Sequence, residues 1–285
     1  MVLINFTLNL KDGQMPKWIW DKFNNIEYIT IPAWVKQGIN IAFTSHLGGL
    51  SSYPYQSLNL GLHVGDQKEK VIKNRQQILQ LFSSDLNHMV SCEQVHSANV
   101  ALVDQSLAGR GARDLASALP DCDALICSTP GLVLATFYAD CFPIFFFDPV
   151  KRTVAVAHSG WKGTMGRIAG FALEKMQLAG GSYPENVEVL IGPGIESCCF
   201  NIQAELAVRV QQEFPSFTDI IYSEHDRYFW DLKNTIRQTL LQSGCLPANI
   251  STCDLCTSCH PELFFSYRRE SGTTGRMGAF IGLKY

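Results

Sequence analysis

Residues 132–163 constrain the fold more than any other stretch of this chain, because most of them are apolar. Three runs within the stretch have the length and composition of short buried strands, namely residues 132–137, 143–147 and 153–157. Cys141 and His158 fall at the ends of these strands. Because a buried β-scaffold holds side chains at its strand ends rigidly, we expect Cys141 and His158 to belong to a functional site.

The rest of the chain alternates between strand and helix patterns. Helical patterns cover residues 66–82, where Asp66 would cap the first turn, and residues 164–178, 203–214 and 232–243. Strand patterns occupy residues 27–31, 39–44, 88–95, 100–103, 122–127, 187–191, 228–230 and 278–283, and residues 1–12 alternate as a further strand would.

Residues 45–66 read as a long loop rich in Gly, Ser, Tyr and Asn. Loops of this length inside compact domains are usually functional or disordered, and the aromatic residues here favour function. No repeat or low-complexity linker divides the chain. We therefore predict one mixed α/β domain over residues 1–285, in which residues 1–37 could form an N-terminal extension.

The charge and composition exclude several classes of partner. A net charge of −3 and a pI near 6.2 give no reason to expect a nucleic acid or an acidic membrane surface. No apolar run approaches the roughly 20 residues of a membrane span. The start of the chain shows no secretory signal, so its ten cysteines are expected to be reduced thiols in a cytoplasmic protein.

His96, in the sequence EQVHSANV, could join Cys141 and His158 in one metal site. A thiolate with two imidazoles suits zinc or copper. Three protein ligands would leave a fourth position for water, which is the catalytic rather than the structural arrangement. Separation along the chain leaves other interpretations open, in which Cys141 is a buried thiol and each His is a hydrogen-bonded turn residue.

The same three residues also suit a mechanism without a metal. Cys141 could act as a thiolate nucleophile with His96 or His158 as its base. Asp140 or Asp121 could then orient the imidazole. Both mechanisms need a deprotonated cysteine beside imidazole, so spacing alone does not separate them.

Other polar residues are candidates for binding a substrate. Arg268, Arg269 and Arg276 surround a glycine-containing turn, where guanidinium groups could bind phosphate or could form a solvated basic turn. A further set lies in apolar or glycine-rich surroundings and could line a pocket: Asn59, His63 and Gln94. Asn59 could instead stabilise a turn. Trp161 could stack on a planar ring or pack in the core.

The tail also carries Cys253, Cys256 and Cys259 at C-x2-C-x2-C spacing, followed by His260. An iron–sulfur motif would need a fourth cysteine, and a structural zinc site would need four ligands, of which only His260 is at hand. We therefore predict a thiol-rich turn without a metal. The adjacent Cys198 and Cys199 suit packing better than disulfide pairing.

Seven motifs together resemble those of the laccase-domain family, also described as multicopper polyphenol oxidase-like proteins and as multifunctional purine nucleoside phosphorylases. They are SLNLGLHVGD, EQVHSANV, DCDALI, FYADCFPI, AVAHSGWKG, IGPGIESCCF and FFSYRRESGTTGRM. The resemblance runs from about residue 38 to the C-terminus. It implies an α/β (α+β) fold, a single-domain α/β/β/α sandwich of mixed sheets flanked by helices.

The resemblance also implies a function. Such proteins are assigned phosphorolysis of adenosine, inosine, guanosine and S-methyl-5′-thioadenosine, and deamination of adenosine. The family's metal ligands fall on His96, Cys141 and His158. We therefore expect a cytoplasmic enzyme, monomeric or homodimeric, with zinc or copper as cofactor and with purine nucleosides and phosphate as substrates. Asn59, His63 and Gln94 would face the nucleoside, while Arg268 and Arg276 would hold phosphate.

The chain departs from the family pattern at His46, where an arginine is usual before the early glycines. This change weakens an anion site in the early loop and leaves the tail arginines as the better phosphate candidates. Asn201 stands where many members carry an acidic residue, and Lys162 replaces a frequent arginine.

Three other functions remain open at this stage. A copper-dependent polyphenol oxidoreductase is one, although a laccase-type multicopper cluster needs many more histidines than the seven in this chain. A metal-free cysteine hydrolase that uses Cys141 with His96 or His158 is the second. A non-catalytic regulator that binds nucleosides is the third.

Overall fold

The computed structural model describes residues 17–285, so the strand predicted over residues 1–12 lies outside the described part of the chain. The strands are β1 (Ile19–Phe23), β2 (Ile26–Thr30), β3 (Ile39–Thr44), β4 (Met89–Ser91), β5 (Val100–Val103), β6 (Ala124–Cys127), β7 (Val133–Tyr138), β8 (Phe142–Asp148), β9 (Thr153–Ser159), β10 (Glu188–Ile191), β11 (Asn201–Ile202), β12 (Ile221–Glu224), β13 (Arg227–Trp230), β14 (Ile250–Thr252) and β15 (Met277–Leu283). The helices are α1 (Pro32–Lys36), α2 (Lys68–Leu81), α3 (Trp161–Met165), α4 (Ile168–Gly180), α5 (Ala204–Glu213) and α6 (Leu232–Gln242).

Most strands belong to two six-stranded sheets. The first has the order β1-β2-β3-β15-β7-β4, and the second has the order β14-β10-β8-β9-β6-β5. Both sheets are mixed, because β4–β7 in the first and β10–β14 and β5–β6 in the second are parallel pairs, whereas the other pairs are antiparallel. Strands β11, β13 and β12 form a small third sheet.

The apolar strands β7, β8 and β9 are buried along their whole lengths because each carries apolar residues towards both faces of its sheet. Phe145 and Leu134 lie in the core between the two sheets. On the outer faces, α2 packs against the first sheet, whereas α4 and α6 pack against the second. The layers therefore confirm the predicted single α+β domain, an α/β/β/α sandwich of mixed sheets.

Three local expectations are wrong in detail. The strand predicted over residues 88–95 is only β4, and the chain then leaves the sheet as a loop. The helix predicted over residues 164–178 is divided into α3 and α4 at Arg167, whose φ of 56° lies in the left-handed region. Asp66 does not cap α2, because its carboxylate accepts instead from Gln67 N and from Asn59 Nδ2.

Among residues 17–285, no helix combines the length and apolar character that crossing a membrane would require.

Candidate active site

The side chains of His96, Cys141 and His158 converge, and their donor atoms all lie within 4.8 Å of one another. The two imidazole rings meet edge to face, with centroids 4.9 Å apart and planes at 70°. His158 is buried, Cys141 is partly buried and His96 is exposed. The three residues proposed from the sequence are therefore brought together in one group.

Each of these residues lies where the chain leaves a sheet. His96 follows β4 in a loop and has a φ of 63°, and Cys141 occupies the turn between β7 and β8. His158 is the second-last residue of β9 and pairs with Pro143 of β8. Because β7 belongs to the first sheet and β8 to the second, the group forms where the chain crosses between the sheets.

A buried carboxylate, that of Asp123, holds this arrangement together. Asp123 accepts hydrogen bonds from the backbone N–H groups of Val95 (3.2 Å), His96 (3.0 Å) and Ser97 (2.7 Å). It also accepts from Ser97 Oγ at 2.9 Å and from His158 Nδ1 at 2.8 Å. Since a carboxylate only accepts, Nδ1 of His158 carries the proton and Nε2 is left to face the group.

The sequence did not single out Asp123, and His158 Nδ1 contacts this residue rather than either aspartate that was proposed as an orienting group. Asp140 turns away from the imidazoles and accepts from Thr257 Oγ1 and Arg268 N, each at 2.7 Å. Asp121 has an exposed side chain. Their proximity to the site in sequence therefore gave the wrong partner for His158.

The electrostatics of the group favour a thiolate beside an imidazolium when no ion is bound. Although burial alone would raise the pKa of Cys141, the charge of His158 and hydrogen bonds from His158 and His96 lower it to about 6. Burial would likewise lower the pKa of His158, yet the Cys141 and Asp123 charges raise it to about 9. The pKa of Asp123 is lowered, because its bonds to His158 and Ser97 outweigh burial.

The absence of a side chain at Gly160 makes room for the side chains of Cys141 and His96. A Cβ at this position would lie 2.7 Å from Cys141 Sγ and 3.1 Å from His96 Cδ2. Any larger residue at position 160 would therefore displace one of the two side chains.

The three side chains open into a cavity of about 480 Å³, which is large enough for a small-molecule ligand. Its aromatic lining comes from Phe137, Trp161, Phe200 and Tyr267. Its basic lining comes from Lys162, Arg268 and Arg276. The cavity thus joins the possible metal ligands to aromatic rings and positive charges.

Two of the predicted nucleoside-binding residues, His63 and Gln94, line this cavity. Burial, together with the charges of Arg276 and Arg75, lowers the pKa of His63 to about 4, so its ring is neutral near pH 7. The Gln94 amide is engaged by the backbone of Phe137, which it meets through two hydrogen bonds of 2.8 Å. Gln94 therefore fixes the end of β7 as well as lining the cavity.

Asn59 is not among the residues that line the cavity. It is fully buried, and its Oδ1 accepts from Gly61 N (3.0 Å) and Arg276 N (2.9 Å), while its Nδ2 donates to Asp66 Oδ2 (2.9 Å). The prediction that Asn59 contacts a substrate is therefore corrected. Through its hydrogen bond with Arg276 N, Asn59 instead positions the backbone of a residue that does line the cavity.

The tail arginines differ in where they point. Arg268 Nη1 donates to Asn201 Oδ1 at 2.6 Å, and its guanidinium lies 5.2 Å from the centre of the Phe200 ring. Arg276 Nη1 donates to the carbonyls of the two residues before it. Arg269 instead donates to carbonyls of the tail loop and pairs with Glu270.

Several lining residues gave no functional signal in the sequence. Phe200 follows two cysteines and Tyr267 precedes the arginines, and each reads as an ordinary apolar or turn residue. Lys162 was noted only as the replacement of a frequent arginine of the family pattern. The conformation of loops places these residues at the cavity, and the hydrophobic periodicity of a sequence does not predict loop conformation.

A family model described as "Multi-copper polyphenol oxidoreductase laccase" matches residues 40–284 of this chain. The chain belongs to this family. The match confirms the resemblance that the seven motifs indicated.

Individual relatives cover most of the chain. Purine nucleoside phosphorylase YlmD of Geobacillus stearothermophilus is 40% identical over 247 residues, which are 86% of this chain and 90% of that protein. The protein of the same name from Bacillus subtilis is 39% identical over 244 residues, or 85% of this chain and 87% of its own. The crystal structure of YlmD from Geobacillus stearothermophilus has a TM-score of 0.89 at 37% identity, and the match covers 94% of this chain and 99% of that one.

The donor set of this member of the family fits a metal ion. One thiol of lowered pKa and two imidazoles lie within 4.8 Å of one another, and Asp123 leaves His158 Nε2 available. All three residues line the cavity, so a ligand from the cavity could complete the coordination. His96, Cys141 and His158 could therefore hold a metal ion.

Asp123→Asn should weaken metal binding by about 10- to 100-fold, because the bond that orients His158 changes from a charged to a neutral acceptor. Titration with cobalt(II), followed by the component of the thiolate-to-cobalt absorption that is lost in Cys141→Ala, measures this affinity. The matched control is Asp121→Asn, whose side chain is exposed. Equal affinities in a folded Asp123→Asn variant and its control would contradict the role given to Asp123.

Proposed function

We propose that the chain is a metal-dependent purine nucleoside phosphorylase that also deaminates adenosine. The observation that carries the proposal is the cavity, which joins the His96, Cys141 and His158 group to aromatic rings and arginines. The names of the YlmD relatives support the phosphorolysis part of this proposal. The proposed substrates are adenosine, inosine, guanosine and S-methyl-5′-thioadenosine, with inorganic phosphate.

In phosphorolysis, a phosphate oxygen attacks C1′ of the sugar and the bond from C1′ to the purine nitrogen breaks. The products are a pentose 1-phosphate and the free purine, which takes up a proton. Phosphate brings negative charge into the cavity, and Arg268 and Arg276 would supply the opposing positive charge and directed N–H donors. These arginines would hold phosphate against the sugar.

The aromatic lining suits a purine. Trp161, Phe200 and Tyr267 could stack on the planar base, which would also keep water away from the reacting bond. His63 is neutral at the working pH and so could either donate or accept a hydrogen bond with the nucleoside.

His96, Cys141 and His158 would hold the metal, and zinc or copper suits this donor set. When bound, such an ion supplies Lewis acidity and lowers the pKa of water, which suits the replacement of the C6 amino group of adenosine by oxygen with release of ammonia. Asp123 would keep His158 in the tautomer that binds the ion.

A second candidate is a metal-free cysteine hydrolase. The lowered pKa of Cys141 and the two adjacent imidazoles favour it, since they are also the features of a thiolate nucleophile. A polyphenol oxidoreductase is suggested by the description of the family model. Within residues 17–285, however, the possible metal ligands form two groups, and only one of them contains histidine, which does not suit a multinuclear copper cluster.

Incubation of metal-quantified protein with each nucleoside, followed by chromatography, tests the proposal. We expect purine release that depends on phosphate, and inosine formation from adenosine that does not. Cys141→Ala should reduce both by about 100-fold or more, because it removes a ligand. Cys245→Ala, a buried thiol outside the group, is the matched control and should keep both activities.

The other outcomes of this experiment separate the alternatives. Full turnover after complete chelation would favour the cysteine hydrolase, and oxygen uptake with a phenol would favour the oxidoreductase. Nucleoside binding without turnover by the fully metallated protein would contradict the enzyme and favour a regulator.

Arg268→Ala should raise the KM for phosphate by about 10- to 100-fold, because a charge-assisted contact contributes roughly 1.5–3 kcal/mol. The KM for nucleoside should change much less. Steady-state kinetics with varied phosphate measures both constants, and Arg209→Ala, an exposed residue of α5, is the control. An unchanged KM for phosphate would show that Arg268 does not bind phosphate.

A further inference from the structure

Four thiols outside the candidate active site form a second compact group. The Sγ atoms of Cys198, Cys199, Cys256 and Cys259 all lie within 4.8 Å of one another. Cys259 Sγ lies 3.4 Å from Cys199 Sγ and 3.7 Å from Cys198 Sγ, and the two adjacent cysteines have their sulfurs 3.8 Å apart.

This group differs from the thiol-rich turn that the spacing of the tail cysteines indicated. In the sequence around the tail cysteines, only His260 is at hand as a fourth ligand. The structure instead brings Cys198 and Cys199 from a loop more than fifty residues earlier. Cys253 is fully buried and lies outside the group.

Contacts away from the sulfurs hold the two loops together. Gly194 forms a β-bridge with Cys256, and Thr257 N donates to Gly194 O at 2.9 Å. Nearby, Lys233 Nζ contacts Glu196 Oε1 at 2.9 Å and Asp254 Oδ1 at 2.8 Å, which ties one loop to the other. The thiols are therefore placed together by the surrounding backbone and ion pairs.

We propose that Cys198, Cys199, Cys256 and Cys259 form a second metal site, which holds one zinc ion through four thiolates. Tetrahedral coordination with zinc–sulfur bonds of about 2.3 Å places the sulfurs about 3.8 Å apart. The three sulfur–sulfur distances given above, from 3.4 to 3.8 Å, are close to this value. Four protein ligands leave no position for water, so the site is structural.

The distances argue against two other uses of four cysteines. A disulfide needs sulfurs about 2.0 Å apart, well below the shortest separation of 3.4 Å. An iron–sulfur cluster distributes its four thiolates over two or more irons, so sulfurs on different irons lie further apart than the 4.8 Å limit seen here.

The site would fix part of the cavity wall. Arg268 Nη1 donates to the carbonyl of Cys199 at 3.2 Å, and the next residue, Phe200, carries the ring beside the Arg268 guanidinium. Both Phe200 and Arg268 line the cavity. An ion held by Cys199 and Cys259 would therefore join the loop that carries Phe200 to the tail loop.

Metal analysis by mass spectrometry of protein purified under reducing conditions tests the proposal. We expect two metal ions per chain in the wild type, one of them the zinc of the second site. Cys259→Ser should lose that zinc and stay folded, because Cys259 is exposed. Cys198→Ser, which is also exposed, should give the same loss. Cys245→Ala should keep both ions, and Cys141→Ala should keep the ion of the second metal site.

Cobalt substitution identifies the ligands of the remaining ion. In Cys141→Ala, cobalt(II) should show the intense sulfur-to-metal absorption of tetrathiolate coordination, and Cys259→Ser should lose that component. Equal metal content in the wild type, Cys259→Ser and Cys198→Ser would overturn the proposal. Iron found together with acid-labile sulfide would also overturn the proposal, because it would indicate an iron–sulfur cluster. A metal-free wild type whose intact mass is lower by two hydrogens would overturn it as well, because that mass indicates a disulfide.

This inference does not depend on the proposed activity. A wild type that binds two ions but leaves nucleosides intact would contradict the proposed function and support the second site. A wild type that cleaves nucleosides with one ion per chain would support the proposed function and contradict the second metal site.

Discussion

The hydrogen bonds of one buried carboxylate organise the candidate active site. Asp123 is completely buried, and an ionised group in that position is costly unless it is paired and hydrogen-bonded. The loop at residues 95–97 turns its backbone N–H groups towards Asp123, and His158 turns Nδ1 towards it. Satisfying this carboxylate therefore brings His96 and His158 to the same place.

The two-sheet architecture explains why Cys141 lies beside His96 and His158. Asp123 immediately precedes β6 of the second sheet, whereas the loop that it holds follows β4 of the first. Cys141 lies in the turn by which the chain passes from β7 to β8, and thus from the first sheet to the second. An apolar core lies between these sheets and fixes the strand ends that carry Cys141 and His158. The loop that carries His96 is fixed by its backbone hydrogen bonds to Asp123.

Much of the fold could be predicted from the sequence, because buried strands and amphipathic helices repeat with regular periods. The apolar runs before and after Cys141 are β7 and β8, and their burial follows from their composition. His96, Cys141 and His158 could be proposed as metal ligands from residue type and, more firmly, from the motifs of the family. Their relative positions depend on pairing between distant strands, which periodicity does not encode.

The failures have a common physical cause. Asn59, Asp140 and Asp121 were assigned roles from their residue type and nearness in sequence, whereas Asp123 acts because the hydrogen bonds it accepts come from distant segments. The cysteine group is a similar case, since two of its thiols lie more than fifty residues from the other two. Such contacts appear only when the loops of a folded chain are placed beside one another.

In the proposed function, an ion held by His96, Cys141 and His158 is needed for nucleoside cleavage. Zinc can be added back stepwise to ion-free protein in the presence of adenosine and phosphate, with adenine and ribose 1-phosphate measured at each step. Product formation should rise in proportion to occupancy of this group and stay absent in Cys141→Ala. Product formation at the full rate before any zinc is added would contradict it.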